Sequence, residues 1–177
     1  REMARRRTAS FLVAIVLLLV ATVTLAGGLP LRLVKGDATA VVELDRKVLT
    51  EGTAYYKNSK GVVSGPFKIK GVRLIDLVGS VGGMEATDKL LVVSSDGYVT
   101  ELDYAQACGD MAATRPDGSP VEGRPVLVPV LITWSDPGME KDLPRLGFLS
   151  SVEGGLMTES KYWARSVVEI RIVPAGK

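Results

Sequence analysis

The stretch from Phe67 to Leu102 limits the fold more than any other part of the sequence, because each of its segments has a distinct period. Phe67 to Lys70 alternates apolar and charged residues, which is the period of a half-buried strand, and we expect Gly71 to end it. The apolar residues of Val72 to Val78 have helical spacing. Leu90 to Val93 is short, apolar and β-branched, which favours a buried strand. The stretch therefore predicts a strand, a short helix and a second strand.

A tight turn and a third strand follow, and similar strands are predicted elsewhere. Asp96-Gly97 is a strong hairpin signal, since glycine adopts positive φ at no steric cost. Gly65-Pro66 indicates an edge strand or a break, and Asp103 can cap a short helix that ends near Ala107. Further strands are predicted at residues 31–34, 38–44, 53–57, 62–70, 98–102, 126–134, 145–149 and 166–173. Many short strands with two or three short helices predict an α+β domain that is mainly β.

The run from Phe11 to Ala26 contains no charge, no proline and no glycine, and three consecutive arginines precede it at residues 5–7. Its length is at the short end for a membrane-spanning helix, which needs about 20 residues. The basic flank predicts an N-terminus in the cytoplasm and export of the chain after the run. The alternative is a cleaved signal peptide, for which Thr24-Leu25-Ala26 is a suitable cleavage site.

The anchor hypothesis divides the chain into four parts. We expect a basic cytoplasmic region at residues 1–9, a transmembrane signal-anchor helix at 10–27, a linker and first strand at 28–37, and an exported domain at 38–177. The protein is then a single-pass protein of the cell membrane, with its C-terminal domain on the extracytoplasmic side. Its expected partners are the membrane and other subunits of a membrane complex, which the anchor helix could contact.

The charge of the chain argues against nucleic acid as a partner. The formal net charge is +2, but four of the cationic residues precede the apolar run. From residue 27 onward the sequence has 18 Lys and Arg against 19 Asp and Glu. A nearly neutral domain has no basic surplus with which to neutralise phosphates.

The sequence offers few residues for metal binding or catalysis. It has no histidine and one cysteine, Cys108, so an intrachain disulfide and a cysteine-based zinc site are excluded. Cys108 has no basic neighbour in sequence, and we expect it to be an inert thiol. Asp136, Glu140 and Asp142 match no calcium-loop spacing. We therefore predict no metal ligand and no catalytic residue.

Four motifs, in order, resemble the sulfite-oxidase-type, oxidoreductase molybdopterin-binding domain family. They are GVRLIDLVGSVGG at residues 71–83, SDGY at 95–98, LPRL at 143–146 and WARSVVEIRI at 163–172. The resemblance spans residues 38–173. It implies a mixed, mainly β fold around a pocket. In catalytic members this pocket holds a molybdenum–pterin cofactor, and a cysteine thiolate shortly before the first motif binds the metal.

The chain departs from this family where the metal ligand should be. The corresponding region, Thr53 to Asn58, contains Tyr55 and Tyr56 but no cysteine. A tyrosine does not replace a soft thiolate ligand without changing the metal chemistry. We therefore expect a non-catalytic binding or structural subunit of a membrane complex with no cofactor. The alternative is a molybdopterin-dependent oxidoreductase with atypical metal ligation.

The candidate pocket residues are those that the motifs and the aromatic pairs single out: Arg145, Tyr98, Asp96, Tyr55 and Tyr56. Arg145 can bind an anion such as a pterin phosphate through a bidentate contact, or it can pair with Asp142 or Glu140. Tyr98 can line a pocket beside Asp96, or it can pack across the hairpin.

The aromatic pairs leave the same choice open. Tyr55-Tyr56 and Tyr162-Trp163 can line a ligand site, since such clefts are rich in aromatic side chains. They can equally belong to the core and its rim.

Overall fold

In the computed structural model, which describes residues 28–123, 125–150 and 155–175, strands dominate and form two sheets. The strands are β1 (Pro30–Lys35), β2 (Ala38–Glu43), β3 (Thr50–Lys57), β4 (Val63–Arg73), β5 (Lys89–Ser94), β6 (Val99–Asp103), β7 (Val128–Ser135), β8 (Arg145–Leu149) and β9 (Val167–Val173). The helices are α1 (Leu74–Gly79) and α2 (Tyr104–Ala107), and 3-10 turns cover Leu44–Arg46 and Ser160–Tyr162. The predicted mainly β, α+β class is confirmed.

Sheet A has the strand order β2-β1-β9-β5-β6 and sheet B the order β3-β4-β7-β8. In sheet A, β9 runs parallel to β1 and antiparallel to β5, so it joins the β1–β2 hairpin to the β5–β6 hairpin. Arg32 lies level with Glu169, and its Nη1 donates to Glu169 Oε2 at 3.0 Å. Residues far apart in sequence therefore hold the centre of this sheet together.

The strand predicted to stop at Gly71 does not stop there. β4 continues through Gly71 to Arg73, and α1 begins at Leu74, two residues later than expected. A Cβ at Gly71 would lie 2.7 Å from the carbonyl oxygen of Leu131 on β7. Gly71 therefore lets the backbone of β7 approach β4 closely. Glycines inside strands often mark such a close approach.

Gly65-Pro66 lies in the part of β4 that is at the edge of sheet B, as predicted. β4 lies between β3 and β7 in the strand order, but β7 pairs with it only from Ile69 to Arg73. The register of β3 against β4 shifts between Ala54 and Tyr56, opposite Gly65-Pro66. A bulge of this kind accommodates a residue that cannot donate to the ladder, so the expected break is also present, at the edge part of this strand.

Two local predictions are confirmed. Gly97 has φ 86° in the turn between β5 and β6. Asp103 caps α2 through a capping box, in which its Oδ1 accepts from Gln106 N at 2.8 Å and Gln106 Oε1 accepts from Asp103 N at 2.9 Å. Both depend only on neighbours in sequence, which is why short patterns predict them.

The two sheets share one apolar core. Fully buried members include Leu31 and Leu33 of β1, Leu90 of β5, Leu131 of β7 and Phe148 of β8. Each such side chain contributes about 1.5–3 kcal/mol when it is removed from water. All five residues of β8 are buried, so the core fixes the position of the strand that begins at Arg145.

No helix within the described residues is long and apolar enough to cross a membrane. The predicted anchor, residues 10–27, lies outside them.

Candidate functional site

The segment that leads into β8 lies next to the segment that leads into β9. Asp142 and Ser166 have φ values of 62° and 46°, which non-glycine residues rarely adopt. Ser166 N donates to Asp142 O at 2.7 Å, and Val167 N donates to Pro144 O at 2.9 Å. One step further along, Leu146 N donates to the carbonyl oxygen of residue 164 at 2.8 Å. These bonds hold the residues on either side of the two turns next to each other.

Arg145 is the buried member of the site. It is 5% exposed at the start of β8, and its Cζ lies 5.1 Å from the centroid of the Tyr56 ring. Within the part of the chain that the structure describes, its Nε and Nη2 have no hydrogen-bond partner. Buried guanidinium groups normally use their donors in ion pairs or bidentate contacts. Arg145 is therefore held in a place where two strong donors remain unused.

Arg165 lies on the same aromatic ring and is half-exposed. Its Cζ is 5.8 Å from the Tyr56 centroid, and its Nη2 donates to Tyr56 Oη at 2.8 Å. Its Nη1 is 3.9 Å from Asp142 Oδ2, a distance at the limit of an ion pair. Two guanidinium groups thus share one tyrosine, with one carboxylate near the outer group.

Trp163 forms the wall behind Tyr56. The two rings meet edge to face at 5.4 Å between centroids, and Phe148 meets Trp163 in the same way at 5.8 Å. Trp163 Nε1 donates to Thr158 Oγ1 at 2.9 Å, so the buried indole is satisfied. This packing restricts the orientation of Tyr56 and therefore of both arginines.

The electrostatics favour an anion. Burial lowers the pKa of the Arg145 guanidinium from its ordinary value, and the charge of Arg165 lowers it further, while Tyr56 and Asp142 raise it. An arginine nevertheless stays protonated in proteins. Among the described residues, two guanidinium groups and the Asp142 carboxylate lie here, which leaves an excess of one positive charge.

The structure brings three of the predicted aromatic and basic residues together, namely Arg145, Tyr56 and Trp163. The Tyr55 ring instead packs against two glycines, Gly65 and Gly155. A Cβ at either glycine would contact the ring. Tyr55 therefore supports the backbone beside the site.

Asp96 and Tyr98 lie in the β5–β6 turn. Asp96 Oδ1 accepts from Tyr98 N at 3.0 Å, and the Tyr98 side chain is 53% exposed. Among the described residues, neither has a hydrogen bond, ion pair or ring contact with Arg145 or Tyr56. Their connection to the site runs through the backbone, because Ser95 N donates to Ser166 O at 2.9 Å.

Cys108 lies apart from the arginines. It is exposed at the end of α2 and lines a cavity of about 210 Å³ with Arg73, Ile75, Ala107 and residues 126–129. Within the described ranges, no group of three or more Cys, Asp or Glu side chains is arranged to hold a metal ion. The side chains around Arg145 include no thiol.

Sequence reasoning missed Arg165. The signal that could have found it is the WAR triplet at residues 163–165. In an extended chain, residues two apart lie on the same side, so this arginine is expected beside the same pocket as Trp163. No model of a known protein family matches the chain, and no curated protein matches it. The resemblance to the molybdopterin-binding family therefore stays a prediction from motifs.

Proposed function

We propose that this chain is a membrane-anchored, extracytoplasmic domain that resembles molybdopterin-binding oxidoreductases and acts as a non-catalytic anion-binding subunit of a membrane complex. The observation that supports it best is Arg145, which is buried with two donors that have no partner among the described residues. A buried donor that makes no hydrogen bond destabilises the fold by about 1–3 kcal/mol. A ligand that accepts from both would remove this penalty.

The ligand that suits this arrangement is a compact oxyanion or the phosphate of a larger molecule. A guanidinium offers two parallel N–H donors that match the oxygens of a carboxylate, sulfate or phosphate. Arg165, half-exposed and next to the same ring, supplies a second positive charge on the outer side. Arg145 is covered, so a ligand reaches it when a neighbouring side chain such as Arg165 moves.

The residues of the site fit part of a molybdenum–pterin cofactor and not the rest. Arg145 fits a phosphate. The metal has no matching ligand, because Arg145, Arg165, Tyr56 and Trp163 include no thiolate and Cys108 lines a different cavity. A soft metal centre needs such a ligand. The proposed domain therefore keeps the anion-binding part of the pocket without the metal chemistry.

The membrane part of the proposal depends on the apolar run at residues 11–26 and the three arginines before it. Such a run with a basic flank favours insertion with the N-terminus in the cytoplasm. The near-neutral charge of the remaining chain agrees with a protein partner and not with nucleic acid.

The test uses the full chain, purified from its native host with an N-terminal tag. Membrane fractionation reports anchoring, elemental and pterin analysis reports cofactor, and calorimetry with sulfate and phosphate reports anion binding. Arg145→Met is expected to weaken anion binding roughly 10- to 100-fold, because a hydrogen bond to a charged group is worth about 1.5–3 kcal/mol.

Arg73→Met is the matched control, since Arg73 is exposed and its Nε lies 4.0 Å from Asp76. Its anion affinity should equal that of the parent chain. Equal affinity in Arg145→Met would place the anion elsewhere. Stoichiometric molybdenum would support the oxidoreductase alternative.

A further inference from the structure

The chain enters the described fold at one end of sheet A, and that entry is tied down. Leu44 N donates to Leu29 O at 3.0 Å, which joins the entering chain to the 3-10 turn after β2. A Cβ at Gly28 would overlap Glu43 Oε2 and lie 3.1 Å from Asp45 Oδ1, so both carboxylates are turned toward the entering backbone. The end of β2 therefore lies directly beside residue 28.

The connection between this end and the apolar run is short. Three residue steps separate Ala26, the last residue of the run, from Leu29. Three residues span at most about 11 Å when fully extended. With residues 10–27 in the bilayer, the end of sheet A that carries Leu29 and Leu44 cannot move far from the membrane surface.

The turn after Leu44 begins with Asp45, whose carboxylate is turned toward the entering chain, and continues with two cations and an exposed apolar side chain. Arg46 and Lys47 are exposed and have no ion pair or side-chain hydrogen bond among the described residues. Val48, next in the chain, is 90% exposed, more than any other large apolar side chain described. Exposed apolar groups beside unpaired cations are typical of segments that lie at a membrane interface.

We propose that the turn Arg46-Lys47-Val48 is a membrane contact, which holds the exported domain with this end of sheet A against anionic lipid headgroups. The inference rests on the proposed anchoring and adds an orientation to it. The two cations lie among the headgroups and Val48 enters the interfacial layer. The opposite end of the β1–β2 hairpin, at Gly36 and Asp37, then faces away from the bilayer.

The test places one label at each end of the hairpin. Because Cys108 is the only cysteine, Cys108→Ser gives a background for a single label at Val48→Cys or, as the matched control, at Asp37→Cys. Both positions are exposed, and the six residues of β1 separate them by roughly 20 Å. The full chain is reconstituted in vesicles of phosphatidylcholine, alone or mixed with phosphatidylglycerol, that carry a headgroup-level quencher.

We expect strong quenching at residue 48 and none at residue 37. Replacing Arg46 and Lys47 by glutamine should reduce quenching at residue 48 in the mixed vesicles. Equal quenching at both positions, or none at either while the chain floats with the vesicles, would refute the orientation alone. A chain that does not float with the vesicles would refute the anchoring and the orientation together.

Discussion

Replacing Arg145 by methionine is expected to stabilise the domain in buffer without anions. Arg145 is 5% exposed, and its Nε and Nη2 have no partner within the described residues. Methionine has a similar length and flexibility, fills the same space beside Tyr56 and leaves no donor unsatisfied. A residue kept for binding should thus be unfavourable for folding while the ligand is absent.

The size of the effect is set by two opposing contributions. Two unsatisfied donors destabilise the parent by roughly 2–6 kcal/mol. The contact of the guanidinium with the Tyr56 ring at 5.1 Å returns about 0.5–2 kcal/mol. The midpoints of these ranges give a net gain of roughly 3 kcal/mol in the free energy of unfolding, and the extremes run from about 0 to about 5.5 kcal/mol. The midpoint corresponds to about 6–12 °C in Tm for a domain of this size.

Urea unfolding followed by tryptophan fluorescence measures this difference, since Trp163 is buried and becomes exposed on unfolding. Sulfate or phosphate at a hundred times the parent's Kd should then stabilise the parent by about 2.7 kcal/mol, and the variant, whose affinity is roughly 10- to 100-fold weaker, by only about 0.4–1.4 kcal/mol. Arg165→Met is the matched control, because its half-exposed side chain should change stability by less than about 1 kcal/mol. A loss of more than about 2 kcal/mol in Arg145→Met without anions would show that Arg145 is structural, and would refute the reasoning.

Two further substitutions test the support of the site and the packing beneath α2. Thr158→Val should lower stability by about 1–3 kcal/mol in thermal unfolding, because Trp163 Nε1 loses its partner at 2.9 Å; an unchanged Tm would contradict this. Gly109→Ala should prevent stable folding at physiological temperature, since φ is 95° and a Cβ would overlap the Leu127 carbonyl oxygen. Gly118→Ala, with φ 85° and no atom within 4 Å of its Cβ position, should lose only about 1 kcal/mol, and similar losses in both variants would refute the packing argument.

The parts of the fold that depend on near neighbours could be predicted from the sequence. The β5–β6 turn at Gly97, the capping box at Asp103 and the bounds of β8 at residues 145–149 all agree with the structure. The path of β4 through Gly71 could not be predicted, because its cause is the backbone of Leu131, sixty residues later in the chain. A glycine that ends a strand and one that admits a close neighbour look the same in sequence.

In the candidate site, too, the residues could be predicted but their arrangement could not. The LPRL segment marked Arg145 as an anion-binding candidate, and the two aromatic pairs marked Tyr56 and Trp163. The burial of Arg145 could not be predicted, and its contact with the same ring as Arg165 could not be either, although the WAR triplet marks Arg165 as a neighbour of Trp163. Both depend on the pairing of two turns at Asp142 and Ser166, which are 24 residues apart in the sequence.

The position of β9 in the middle of sheet A has a consequence for biosynthesis. Arg32 and Glu169, which meet at 3.0 Å, are 137 residues apart in the chain. At about 5–20 residues per second, a ribosome makes β9 roughly 7–27 s after β1. Until then the β1–β2 and β5–β6 hairpins have no strand between them, and Leu31 and Leu33 lack the neighbours that bury them. The nascent chain is therefore exposed to chaperones and proteases throughout that interval, and a chain interrupted before Val167 would leave sheet A as two separate halves.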